Sequence, residues 1–191
     1  MKTIFFAAAV IASLFTKPDT DVVDKLGVKG PLTFNKTAFN LAWVSNPNSN
    51  YYVQEYLPKN ENETHFNQML SVFLLVGNTK TEDAVKQKTE ELAARKSTDP
   101  TCNFIVNKSA DGKEFILDFV LGENNIEEFN IYRYKQIDVG SRGKAILMYA
   151  YSKRAYGNNI TAFLQNLKTE RTKLLNEMAA APMPPVTLSN R

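Results

Sequence analysis

From Gln68 to Val76 apolar side chains fall on both parities of the chain, with Met69, Phe73 and Leu75 on one and Leu70, Val72, Leu74 and Val76 on the other. A short run of this kind, closed by Gly77-Asn78, predicts a central strand covered on both faces. Upstream, Leu32 to Val44 and Tyr51 to Leu57 have strand composition, and the polar cluster Ser45 to Asn50 between them predicts a hairpin around Asn-Pro-Asn. Thr79-x-x-Glu82 matches a capping box, which predicts a helix to about Lys96. Its apolar stripe is narrow (Val85 and Leu92, with Ala84 and Ala93), so one face lies on the sheet.

Downstream, Cys102 to Asn107, Glu114 to Leu121, Glu128 to Val139 and Lys144 to Lys153 read as four strands of an antiparallel meander. Ala110-Asp111-Gly112-Lys113 carries a hairpin signal, and Gly140-Ser141-Arg142-Gly143 a second turn. Ile160, Phe163, Leu164, Leu167, Leu174, Leu175 and Met178 then recur at helical spacing, behind Asn158 or Asn159 as cap. The reading is α+β: a mostly antiparallel sheet of about six to seven strands, order βββ-α-ββββ-α, packed by two helices, one long and C-terminal. The domain spans 32–181, and Pro182-Met183-Pro184-Pro185 opens an extended tail, 182–191, either a docking segment or a frayed end.

The beginning of the chain changes the picture from a cytosolic to an exported protein. Met1-Lys2 precedes an apolar run from Thr3 to Phe15, which Lys17-Pro18-Asp19 ends. Such a run is shorter than the about 20 residues a membrane span needs and has the length of a signal-peptide core. The expectation is a signal peptide over 1–20, a leader loop over 21–31 and no transmembrane segment after signal removal. The alternatives are a buried helix or a retained anchor. Cys102 is the single cysteine, so no internal disulfide can form. An exported domain of 191 residues without one suits a bacterial periplasm or culture medium. Net charge is +3, from 23 basic and 20 acidic side chains, too mild an excess to predict nucleic-acid binding.

Candidate chemistry is sparse. Neither a metal-ligand pattern nor a catalytic or cofactor motif is present, so catalytic residues, metal and cofactor are all read as none. His65 and Cys102 are each single, so a hydrolase or redox enzyme would have to use that pair. Gly140 to Gly143 with Arg142 could form an anion-binding nest or a plain turn. Charges interrupt strand faces that ought to be apolar: Glu55 beside Val53 and Leu57, Asp118 beside Ile116 and Val120, Arg133 beside Phe129 and Ile131. Unpaired buried charge is costly, so Glu55 or Asp118 is expected to pair with Arg133, as an ion pair or as the polar floor of a pocket. Tyr132, Tyr134, Arg154 and Tyr156 add the aromatic and basic side chains that suit an anion, sugar or protein partner.

The order of elements resembles the Mog1/PsbP-like exported domains. The stretches YYVQEYLP (Tyr51 to Pro58), FNIYRY (Phe129 to Tyr134) and Arg154-Ala155-Tyr156-Gly157 resemble segments of exported bacterial proteins of unknown function. The resemblance implies a fold and an exported setting, and no site residue. The leading expectation is a non-enzymatic binding or accessory module for a protein or glycan. A small-ligand carrier with a pocket between sheet and helix is the second, and the Cys102–His65 enzyme the third.

Overall fold

A computed structural model describes residues 22–28 and 30–188 of the chain. The expected signal segment lies outside the described residues. Eight strands and two helices follow in the order β1 (Leu32–Phe34), β2 (Thr37–Asn48), β3 (Tyr51–Pro58), β4 (Gln68–Val76), α1 (Thr81–Arg95), β5 (Asn103–Lys108), β6 (Glu114–Glu123), β7 (Ile126–Asp138), β8 (Lys144–Tyr156) and α2 (Ile160–Ala180). The strands form one antiparallel sheet in the spatial order β1-β2-β3-β4-β8-β7-β6-β5. Two four-strand meanders therefore join edge to edge, β4 against β8, and α1 carries the chain from the end of the first to the far edge of the second.

The α+β class stands, with one strand more than the pattern suggested. Leu32 to Val44 is two strands because Asn35 and Lys36 take left-handed backbone (φ 45° and 63°) and close a two-residue hairpin. Asn is among the residues that adopt this conformation most readily, and Asn-Lys lacks the glycine that would have signalled it. The second hairpin turns later than expected. β2 runs to Asn48 and the turn is Ser49-Asn50. Pro47 is tolerated there because β1 pairs with β2 only at residues 37–39, which leaves the rest of β2 an outer strand.

Both helix caps differ from the sequence reading. α1 begins at Thr81 behind Lys80, with no side-chain cap, and the Glu82 carboxylate meets Lys108 of β5 at 2.7 Å instead of folding back on the backbone. α2 follows a short 3-10 turn, Gly157–Asn159, and Asn159 makes no capping bond. The buried face of α1 holds Ala84, Val85 and Leu92, with Lys88 taking the place expected of Ala93, which is exposed. Lys88 is accommodated because its ammonium sits 5.5 Å from the centre of the Phe119 ring and 3.1 Å from Glu91.

Each face of the sheet has its own core. α1 packs on β5, β6 and β7 over Phe115, Leu117, Phe119 and Tyr134. On the opposite face α2 places Phe163, Leu167, Leu174 and Met178 against Phe129, Ile131, Tyr149 and Tyr151. The N-terminal arm joins this second core through Leu26 and Val28, as does the tail through Met183, Val186 and Leu188. The Thr187 N–H donates to the Leu26 carbonyl at 2.7 Å. The described part of the tail is therefore packed and is neither frayed nor a free docking end.

The connection from α1 to β5 is organised by Asp99. Burial pushes its carboxyl up, but the Gly122 N–H, the Thr101 hydroxyl and Arg95 outweigh that and hold it below the usual range. A side chain at Gly122 would displace the groups around it. A Cβ there would lie 2.7 Å from both Glu127 Oε2 and Thr101 Oγ1. Glu127 is buried beside it, Oε1 without a hydrogen-bond partner, and desolvation raises its carboxyl.

Candidate binding site

Residues directly opposite one another in adjacent strands point to the same face of a sheet. On that rule Trp43, Glu55, Ser71, Ala150 and Tyr132 form one row across β2, β3, β4, β8 and β7, on the face that carries α1. The next row along the strands brings Met69, Ser152 and Asn130 together, and the row after that Arg154 and Glu128. The strip thus defined is polar on a face whose other half is apolar. α1 covers β5 to β7, so the strip lies beside the helix.

Four of its side chains form a chain of hydrogen bonds. The Ser152 hydroxyl donates to Asn130 Oδ1 at 2.6 Å, the Asn130 amide donates to Glu128 Oε1 at 2.9 Å, and Arg154 Nε donates to Glu128 Oε2. Ser71, Asn130 and Ser152 are buried, and Arg154 stacks its guanidinium 4.0 Å from the centre of the Phe66 ring. These bonds link all four side chains and restrict their rotamers.

Glu55 stands outside this pairing. The residue is only 9% exposed, and its carboxylate receives no side-chain hydrogen bond among the described residues. Burial pushes its pKa up to about 7. Arg154 works against that shift, and the negative charges of Glu128 and Glu63 add to it. Across the strand from it stands Trp43, 37% exposed. A carboxyl of this kind exchanges its proton near neutral pH, and a partner able to donate hydrogen bonds to it would stabilise its ionised form.

The structure separates the residues singled out from sequence. Glu55, Tyr132, Tyr134, Arg154 and Tyr156 share the α1 face. Asp118 and Arg133 lie on the α2 face, directly across from Ile131 and Ile116. Neither Glu55 nor Asp118 pairs with Arg133. Arg133 binds Glu114 at 2.7 Å and donates to the Met178 and Ala181 carbonyls at the end of α2 (2.9 and 2.6 Å), while Asp118 takes a two-pronged contact from Arg171 of α2 at 2.7 and 2.8 Å. These pairs fasten helix to sheet. The expectation failed because period-two alternation assigns faces within one strand and leaves open which faces coincide between strands.

Tyr134 is buried under α1, and desolvation raises its phenol. The Tyr156 ring stacks on His65 at 4.3 Å between centroids, its hydroxyl donating to the Phe66 carbonyl at 2.7 Å. Cys102 sits beneath α1, its thiol donating to the Leu92 carbonyl at 3.4 Å and pushed up in pKa by burial and by Asp99. The two residues of the enzyme reading are thus engaged separately. Arg142 is spent on the β2–β3 turn, donating to the Tyr52 hydroxyl at 2.6 Å and to Ser49 and Asn50, so it offers no anion nest. Among the described residues no group of three ligating side chains gathers where a metal could be held, and no helix is long and apolar enough to cross a membrane.

Trp43, Ser71, Glu128, Asn130 and Ser152 were not singled out from sequence. Asn130 and Ser152 left a faint signal, each a polar residue interrupting an apolar strand. Their meeting depends on the β7–β8 register.

A protein-family model matches residues 26–183, and the chain belongs to that family, an uncharacterised bacterial one. The match covers the arm, the whole sheet and both helices. No curated protein matches the chain.

Proposed function

We propose that the protein is an exported, non-enzymatic binding module of the bacterial envelope, and that the strip from Trp43 and Glu55 to Arg154 is where its partner engages. One observation carries the reading: Glu55 is a carboxyl only 9% exposed to which no described side chain donates a hydrogen bond, and it adjoins the bonded chain of Ser152, Asn130, Glu128 and Arg154. A fold retains such a group where it serves recognition or chemistry, because a better-paired residue would stabilise it more. The restricted rotamers of Arg154, Glu128 and Asn130 suit binding, which gains from preorganised groups. The apolar start of the chain supports export, and the order of elements keeps its resemblance to Mog1/PsbP-like domains at the level of fold alone.

Binding is favoured over catalysis because Cys102 is a buried, protonated thiol, and such thiols are inert. The test is to isolate the protein under native conditions from the periplasmic or culture fraction and weigh it intact by native mass spectrometry. A bound component is expected on the wild-type chain and absent from both Trp43→Ala and Glu55→Gln. A component held equally by both variants, or one that the purified protein turns over, contradicts the proposal.

A further inference from the structure

We infer that the strip takes a small organic ammonium, a linear primary amine whose charged head meets the Glu55 carboxylate while its first methylenes and charge lie against the Trp43 ring. This rests on the site proposed above and names the class of ligand it selects. Charge is the first argument. Three carboxylates, those of Glu55, Glu128 and Glu63, act together here against one cation, Arg154. That cation is already committed to Glu128 and to the face of Phe66. The balance left over is negative.

Hydrogen-bonding capacity is the second. The Asn130 amide and Ser152 hydroxyl donate inside the network, and no donor from it reaches Glu55. No described side chain donates to Glu55, and an ammonium brings three donors. An anionic ligand would meet repulsion from Glu55, and a neutral hydroxyl would leave the charge uncompensated.

The third argument is aromatic. Directly opposite residues on paired strands have side chains that begin about 5 Å apart, so the Trp43 ring stands within reach of a cation seated on Glu55. Indole is the strongest of the natural cation–π faces. Binding also carries a proton signature. Glu55 is faced by Tyr51 of its own strand, Tyr132 and Glu128 of β7, Arg154 of β8 and Glu63 of the β3–β4 loop. With its carboxyl partly protonated near neutral pH, an arriving ammonium displaces the proton to solvent.

Trp43 is the only tryptophan of the chain and reports on its own site. Its fluorescence is titrated with 1,4-diaminobutane and, at equal ionic strength, with 1,4-butanediol, at about pH 8 where Glu55 is ionised. A saturable change is expected with the diamine in the millimolar range or below and none with the diol. Glu55→Gln should weaken the diamine by at least about tenfold, the loss of one charged hydrogen bond, and Glu55→Asp should recover part of it. Equal responses to diamine and diol, no saturation, or undiminished affinity in a folded Glu55→Gln overturns the inference. If the diamine fails while the native adduct is still lost in Glu55→Gln, the ammonium class falls and the site stands. If both fail, the site falls as well.

Discussion

Glu55 makes the fold less stable at the pH where most proteins are at their best. Its carboxyl ionises near 4.5 in an unfolded chain and near 7 in the folded one. The folded state therefore holds the proton more tightly, and stability falls as pH rises from about 4.5 through about 7. The upper limit of this loss is on the order of 3 kcal/mol, at 1.36 kcal/mol per unit. Glu55→Gln keeps the shape and removes the charge. It should raise the melting temperature above pH 7, leave it nearly unchanged below pH 4.5, and flatten the slope between. Thermal melts across that range check this, and a variant that loses stability at high pH would show that Glu55 is paired in a way the described contacts do not include. The composition of β3 announced an anomaly, because Glu55 interrupts Val53 and Leu57. It could not say whether the charge is paired, since that depends on Arg154 and Glu128, which lie far along the chain on β8 and β7.

At the scale of elements, α2 is held to the sheet by charge as well as by its apolar stripe. Lys153 reaches Glu170, Arg171 grips Asp118, and Arg133 takes the carbonyls at the helix end. Asp118 is the most dependent of these, being 5% exposed and paired with a single arginine. Arg171→Ala strands a buried carboxylate and should cost roughly 3 kcal/mol. Replacing both partners, Asp118→Leu with Arg171→Leu, removes the stranded charge and should recover most of that loss. Denaturant melts of the four corners of this cycle measure it. The stripe of α2 was plain in the sequence from Phe163 to Met178. The ion pair was hidden in a gap in that stripe: Arg171 stands between Leu167 and Leu174 on the sheet-facing side, and Asp118 is the break in β6 that receives it. Two faults in two apolar patterns were one contact, and only the packing of helix on sheet joins them. The absent caps of α1 and α2 teach the converse, since Glu82 fits a capping box by spacing and yet serves Lys108 across the fold.

Over the whole molecule, the topology decides where a site can form. The chain completes one meander, crosses by α1, completes a second and docks β8 on β4. α1 settles mainly on the second meander and shares its core with Val53, Phe73 and Leu75 of β3 and β4, while β8 brings Ser152 and Arg154 beside the polar end of β4. α2, the N-terminal arm and the tail close the opposite face. Helices, the hairpins of the second meander and the central strand β4 were legible because each is specified by local periodicity and turn chemistry. The strip was not, because its members come from β2, β3, β4, β7 and β8 and are brought together by register alone. Everything proposed for that strip requires Glu55 to be a buried carboxyl to which no described side chain donates. Carbon-13 NMR titration of its side-chain carboxyl in the unliganded protein reads this directly. The account predicts a midpoint near 7, and a midpoint near the ordinary 4.5 would contradict it.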